Sequence, residues 1–193
     1  MGIADSGIEF KFKPVESRKR KILVNGITGT GKSTAVANYC EKHELEAVVF
    51  DVDSTNWAMT DRVIDIDYSM NANALTNEMV GVIKKIPNDY DTIIVDGIDT
   101  LNDLLTPQDV EGQLAFKRRA DNFKRILNEL RASDRNIIFI GQISMVMVDE
   151  DKDYSKPVQQ INNMVDFTYR CYKDEKGNFC NECLKYRGKP EEL

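Results

Sequence analysis

No stretch of the chain approaches the roughly 18 consecutive apolar residues of a membrane span, and its first residues lack the apolar core of a secretory signal. Membrane insertion is excluded on that reading, and a cytoplasmic location is expected. The four cysteines, Cys40, Cys171, Cys180 and Cys183, are then expected as thiols. Positive charge is in short supply too: 26 Lys and Arg face 32 Asp and Glu, for a net charge of −6. Such a balance argues against a protein coated in nucleic acid by bulk attraction, while leaving room for a local basic stripe. The single histidine, His43, follows the first helix and reads as a partner for its dipole. Cys180-x-x-Cys183 with Cys171 offers three thiols where a structural zinc site wants four ligands, so small residues packed in a hairpin are the simpler reading. Internal repeats and low-complexity tracts are absent. The 193 residues, 41% hydrophobic, suffice for one domain that buries roughly 70% of its unfolded surface.

What is present is sharper. Gly26-Ile27-Thr28-Gly29-Thr30-Gly31-Lys32-Ser33 is a full G-x-x-x-x-G-K-[ST] sequence behind the apolar run Ile22-Leu23-Val24 and ahead of a helix-compatible stretch opening at Thr34. In that context the glycines let successive backbone N–H groups face a phosphate, Lys32 reaches the β/γ-phosphates, and the Ser33 hydroxyl is placed for Mg²⁺. The chain is therefore expected to bind a nucleotide with Mg²⁺.

Strand-like and helical runs alternate along the chain, the pattern of a parallel sheet with helices on both faces. Thr34 to Lys42 reads as a helix and Ala47 to Phe50 as a buried strand leading to Asp51-Val52-Asp53. A helix presenting Leu75, Met79, Val82, Ile83 and Ile86 runs up to Pro87. Next come Thr92-Ile93-Ile94-Val95-Asp96, four strand formers and an acid, the Walker B pattern in which Asp96 holds the Mg²⁺ shell. Thr106, Pro107 and Asp109 suggest the start of the longest helix, ending near Ala132. Its stripe of Phe116, Ala120, Phe123, Leu127 and Leu130 should be buried, with Lys117, Arg118, Lys124, Arg125 and Arg131 largely opposite. Asn136 to Gly141 is a strand ending at Gln142. Val165 to Arg170 resumes a strand, and a turn over Lys173 to Asn178 sends Phe179 to Arg187 back as a hairpin.

This order of motifs resembles the RecA/RadA recombinase core, and the short single-domain form most resembles the phage-encoded RecA-like ATPases that accompany single-strand annealing proteins. The likeness covers roughly Lys21 to Arg187, with residues 1–20 left as a tail or edge strand and 21–193 as the ATPase domain. It rests on the phosphate loop, on Val49-Phe50-Asp51-Val52-Asp53, on Ile93-Ile94-Val95-Asp96-Gly97, on Ile138-Phe139-Ile140-Gly141-Gln142-Ile143 and on Leu184-Lys185-Tyr186-Arg187.

The resemblance implies a RecA-like, mainly parallel sheet flanked by helices, with a C-terminal antiparallel hairpin. It implies that Asp53 stands where the family has its catalytic acid, usually a glutamate; that Gln142 senses the γ-phosphate; and that Lys185 and Arg187 reach a neighbouring protomer's nucleotide. It further implies ATP as the nucleotide and a homo-oligomer that binds single-stranded DNA, with a single-strand annealing or single-strand-binding protein as partner. Asp51 competes with Asp53, which is favoured because ligands sit at the C-terminal ends of such strands. Trp57 stands where the family contacts adenine, with a core or interface role equally open. The polar stretch from Ile143 to Met164, roughly 20 residues, is the candidate DNA-facing loop, with Lys156 and Gln159 among its contacts. Ile8, Phe10 and Phe12 alternate with charges and suggest an edge strand on this sheet or a neighbour's. A P-loop nucleoside or nucleotide kinase, with Lys117, Arg118, Lys124 and Arg125 as a lid, is the alternative; a nucleotide-gated binding module without hydrolysis is the third reading.

Overall fold

The computed structural model describes residues 19–55, 57, 62–142, 161–187 and 193. One seven-stranded sheet organises them, with strands β1 (Lys21–Gly26), β2 (Ala47–Asp51), β3 (Val63–Asp65), β4 (Thr92–Asp96), β5 (Asn136–Gln142), β6 (Phe167–Lys173) and β7 (Phe179–Tyr186) in the order β3-β2-β4-β5-β1-β6-β7. All neighbours are parallel except β6 and β7. The sheet is thus of the expected class, including its antiparallel C-terminal pair.

Strands β1, β2, β4 and β5 carry continuous apolar runs because both of their faces are covered. On one face α1 (Lys32–Lys42) lays Val36, Tyr39 and Cys40 against Ile22, Val24, Ile94 and Ile138. On the other, α2 (Ala72–Lys85), α3 (Ile98–Leu104) and α4 (Gly112–Ala132) bury Leu75, Met79, Leu101, Phe123, Ile126 and Leu130 over Leu23, Phe50, Val95 and Phe139. Strand β7 instead alternates exposed and half-buried residues, as an outer strand with one wet face does. His43 closes α1 as its C-cap residue and lies 4.3 Å, ring to ring, from Tyr39.

The helices differ from the expected pattern in three places. The first, α1, begins at Lys32 rather than Thr34. The second difference is α3, unanticipated, and it changes the meaning of Thr106-Pro107. The Thr106 N–H bonds back to the Asp103 carbonyl and Pro107 lies two residues beyond the C-cap Leu105, so this pair ends α3; α4 opens only at Gly112. Third, Phe116 is 58% exposed and Ala120 is exposed, contrary to the expected stripe; the buried positions are Ala115, Asn122, Phe123, Ile126, Leu127 and Leu130. The periodicity is right, but of Gly112 to Arg118 only Ala115 is covered, and Arg119 lies over the Phe116 ring instead.

Candidate functional site

The register of the sheet brings the conspicuous residues to one end. Gly26 ends β1 opposite Gln142 of β5 and Cys171 of β6, while Asp51 of β2 stands opposite Asp96 of β4. The loop from Gly26 to Gly31 then leads into α1 at Lys32. Gly26 has to be glycine for reasons of space: a Cβ there would lie 2.3 Å from the Cys171 carbonyl oxygen and 2.8 Å from Thr30 Oγ1.

Lys32 turns its ammonium back onto the loop, donating to the carbonyls of Gly26 at 3.0 Å and Ile27 at 3.1 Å. Burial lowers its pKa, and the nearby carboxylates of Asp96, Asp53 and Asp99 act the other way. Ser33 Oγ donates to Asp96 Oδ2 at 2.8 Å, and the same oxygen accepts from Trp57 Nε1 at 2.9 Å with Thr55 Oγ1 at 3.1 Å. Burial pushes the Asp96 carboxyl above the usual carboxylate range in spite of those three donors. A hydroxyl and a carboxylate in contact at the end of the phosphate loop are hard oxygen donors of the kind Mg²⁺ takes, so Ser33 and Asp96 fit the metal the motif implies. Trp57, with its indole N–H committed to Asp96 and its ring against the apolar layer under α1, is a scaffold residue of this site and no platform for adenine.

Asp53 and Gln142, 89 residues apart, meet: Gln142 Nε2 donates to Asp53 Oδ2 at 3.0 Å, and Gln142 Oε1 accepts from Thr28 Oγ1 of the phosphate loop at 3.1 Å. Asp53 Oδ1 accepts from Thr100 Oγ1, and the Gln142 N–H donates to Asp99 Oδ2 at 2.7 Å. The approach depends on Gly97, at φ 93°, where a Cβ would come within 2.5 Å of the Asp53 carboxyl. Asp51 differs from Asp53: it is 5% exposed, and its Oδ1 is occupied by the Thr55 N–H and hydroxyl.

Lys185 and Arg187 lie elsewhere. Antiparallel pairing puts Phe179 beside Lys173 at the phosphate-loop end and Lys185 beside Thr168 at the other, where Lys185 Nζ donates to the Asn162 carbonyl. Its pKa is lowered by burial and by the adjacent Arg187 cation. Neither residue joins the nucleotide site of its own chain. Cys180 and Cys183 are free half-buried thiols, and no group of three or more metal-ligating side chains occurs among the described residues. Lys117, Arg118, Lys124 and Arg125 lie exposed on α4, with Arg118 beside Asp109 and Arg125 bonded to Asn77, in no lid arrangement. The alternating Ile8, Phe10 and Phe12, and the segment 143–160 with Lys156 and Gln159, lie outside the described residues.

Sequence reasoning missed Thr55, Asp99 and Thr100. The clue for the last two was their position directly behind Asp96-Gly97, where a short helix aims its first turn at the site.

A phosphate loop at the end of a parallel strand, a hydroxyl–carboxylate pair for Mg²⁺ and an acid within reach of the loop define a P-loop nucleoside-triphosphate domain. Within that class, a family model described as an AAA domain matches residues 18–189, so the chain belongs to this P-loop NTPase family. No curated protein matches the chain. No helix among the described residues is long and apolar enough to cross a membrane.

Proposed function

We propose that this protein is a Mg²⁺-dependent ATPase of RecA-like type that acts on single-stranded DNA as a homo-oligomer in recombination, repair or replication. The observation that carries the reading is the chain of hydrogen bonds from Thr28 through Gln142 to Asp53 and Thr100. One side chain spans from the phosphate loop to the candidate acid, and it is the last residue before the segment expected to face DNA. Departure of the γ-phosphate changes what Gln142 bonds to and so acts on that segment.

In this mechanism the loop N–H groups from Gly26 to Ser33 and Thr34 hold the phosphates, and Lys32 leaves its carbonyls to neutralise the β/γ-oxygens. Ser33 and Asp96 would hold Mg²⁺, which would supply charge neutralisation at the β- and γ-oxygens. Asp53 positions the attacking water and accepts its proton, held in place by Gln142 and Thr100. Lys185 and Arg187, remote from their own site, serve a neighbour's nucleotide, which requires specific activity to rise with protein concentration. A single-strand annealing or single-strand-binding protein is the partner this reading implies.

The test is the ATPase rate with no addition, with single-stranded DNA and with nucleosides, alongside a sizing run with non-hydrolysable ATP. Stimulation by single-stranded DNA and assembly in the presence of the analogue are expected. Stimulation by a nucleoside with transfer of phosphate to it would replace the reading with the kinase. An unstimulated rate together with a monomer throughout would remove the DNA-dependent oligomer.

A further inference from the structure

The hydrolytic groups all lie on one flank of the phosphate loop: Gln142 of β5, Asp96 of β4 and Asp53 beyond β2. The other flank faces β6 and β7 and holds a cavity of about 340 Å³. Its walls include Gly31, Thr34 and Asn38 from the loop and α1, and Phe179, Cys180 and Asn181 from β7. A nucleoside triphosphate laid along the loop with its γ-phosphate toward Asp53 and Gln142 must leave its nucleoside on this opposite flank. The volume is at the lower end of the range of about 300–1,000 Å³ for small-molecule sites, suited to a base and sugar.

From this polarity we propose that Phe179 is the stacking platform for the nucleobase, an assignment that rests on the nucleotide-binding reading above. The ring lies directly against the loop: a Cβ on Gly31 would be 3.0 Å from its Cδ1 atom. It is 64% exposed, a large apolar side chain left open at the mouth of the nucleotide site. Lys173 Nζ lies 4.7 Å from the ring centroid, and Lys173 borders the cleft on the far side of the loop, whereas Phe179 borders this one. The ammonium thus takes one face and leaves the other for a base. Burying an aromatic face against a base contributes about 1–3 kcal/mol and reads the π-face, not the hydrogen-bonding edge. The site therefore accepts any nucleobase, purines ahead of pyrimidines because they offer more area, and discriminates strongly only against a bare polyphosphate. Trp57, engaged by Asp96, has no part in this.

The cavity also supplies its own reporter. Burial pushes the Cys40 and Cys171 thiols up to about 12 and about 11, which leaves them unreactive at neutral pH. Cys180 lines the cavity and Cys183 does not. The experiment measures binding of ADP, ATP and inorganic tripolyphosphate to the full-length protein, and maps N-ethylmaleimide labelling at Cys180 and Cys183 with each. ADP and ATP should protect Cys180 while tripolyphosphate leaves it open, and Cys183 labelling should not change. Phe179→Ala should weaken ADP about 10- to 100-fold with tripolyphosphate unaffected. Phe179→Leu, which keeps bulk and loses the π-face, should weaken ADP nearly as much, and Phe179→Tyr should restore it. Unchanged ADP affinity in Phe179→Ala and Phe179→Leu, with the parent binding normally, would overturn the platform and leave the ATPase reading standing. A parent that binds neither nucleotide nor tripolyphosphate would overturn both.

Discussion

The two flanks of the phosphate loop are built to different standards. Toward β4 and β5, each polar group has a fixed partner: Asp96 accepts from Ser33, Thr55 and Trp57, and Asp53 is held by Gln142 and Thr100. Toward β6 and β7, the outer strand β7 alternates wet and half-buried residues, and an exposed phenylalanine, Phe179, lies against the loop. The contrast matches the roles proposed above for the two flanks. Positioning a water against a phosphorus tolerates little error, and the groups proposed for it sit at or just beyond the ends of buried parallel strands, braced by second hydrogen bonds. Stacking on a base needs area and tolerates sliding, so an outer antiparallel strand would be sufficient for the role proposed for Phe179.

The largest effect that separates the flanks is expected from Lys32→Ala. On the proposed reading it deletes the charge nearest the transferring phosphoryl group and should abolish nucleotide turnover, whereas changes at Phe179 should act on affinity with turnover at saturation nearly intact. Because the charged Lys32 is disfavoured by burial, the variant should melt at a temperature close to the parent's. Wild-type hydrolysis in Lys32→Ala would mean that the reaction occurs elsewhere.

Next in size is the acid. Asp53→Asn should keep ATP affinity and lower turnover by about 10²-fold, the usual scale for losing a positioned base. Gly97→Ala provides an independent route to the same loss, since its Cβ would occupy the place of the Asp53 carboxyl and the backbone at φ 93° resists a side chain. A slow Asp51→Asn beside a normal Asp53→Asn would move the role to the buried carboxylate at the end of β2.

Gln142→Ala should cost less basal activity, about 10-fold, short of the roughly 10²-fold that a 1 Å misplacement can cost, because Thr100 still restrains Asp53. Its larger consequence is regulatory. Any stimulation by single-stranded DNA should disappear, and a variant that keeps full stimulation would show that Gln142 does not connect the nucleotide to the following segment.

The comparison of flanks also explains what could be read from sequence. Strands β1, β2, β4 and β5 were legible because strands buried on both faces are short unbroken apolar runs, and two of them end at Asp51 and Asp96 beside the loop. The phosphate loop is local and was legible in full. The contacts of Asp53 were not, because Thr28, Gln142 and Thr100 are brought to it by sheet register and by the turn at Gly97. Helix α3 escaped because seven residues are too few to establish a period, and Thr106-Pro107 carries start and stop signals alike. Phe179 was hidden for a similar reason: only the β6–β7 register sets it against Gly31, 148 positions away.

The smallest expected effect is on stability, and it concerns Asp96. Burial raises its folded pKa above the ordinary 3.8, so between these two values the folded protein holds a proton that the unfolded chain has released. Stability should therefore fall as pH rises through that window, and at neutral pH the ionised Asp96 should be a net liability when no Mg²⁺ is present. Asp96→Asn keeps an oxygen able to accept from Ser33, Thr55 and Trp57 while removing the charge. Without nucleotide at pH 7 it should melt above the parent, by about 2–4 °C for each kcal/mol in a chain of this size, and the gap should close as the pH is lowered. With Mg²⁺ and ATP the order should reverse, because only the carboxylate gains the metal. Should Asp96→Asn melt below the parent at pH 7 without Mg²⁺, the three donors outweigh the burial of the charge, and the flank toward β4 is stabilised by the same network that prepares it for chemistry.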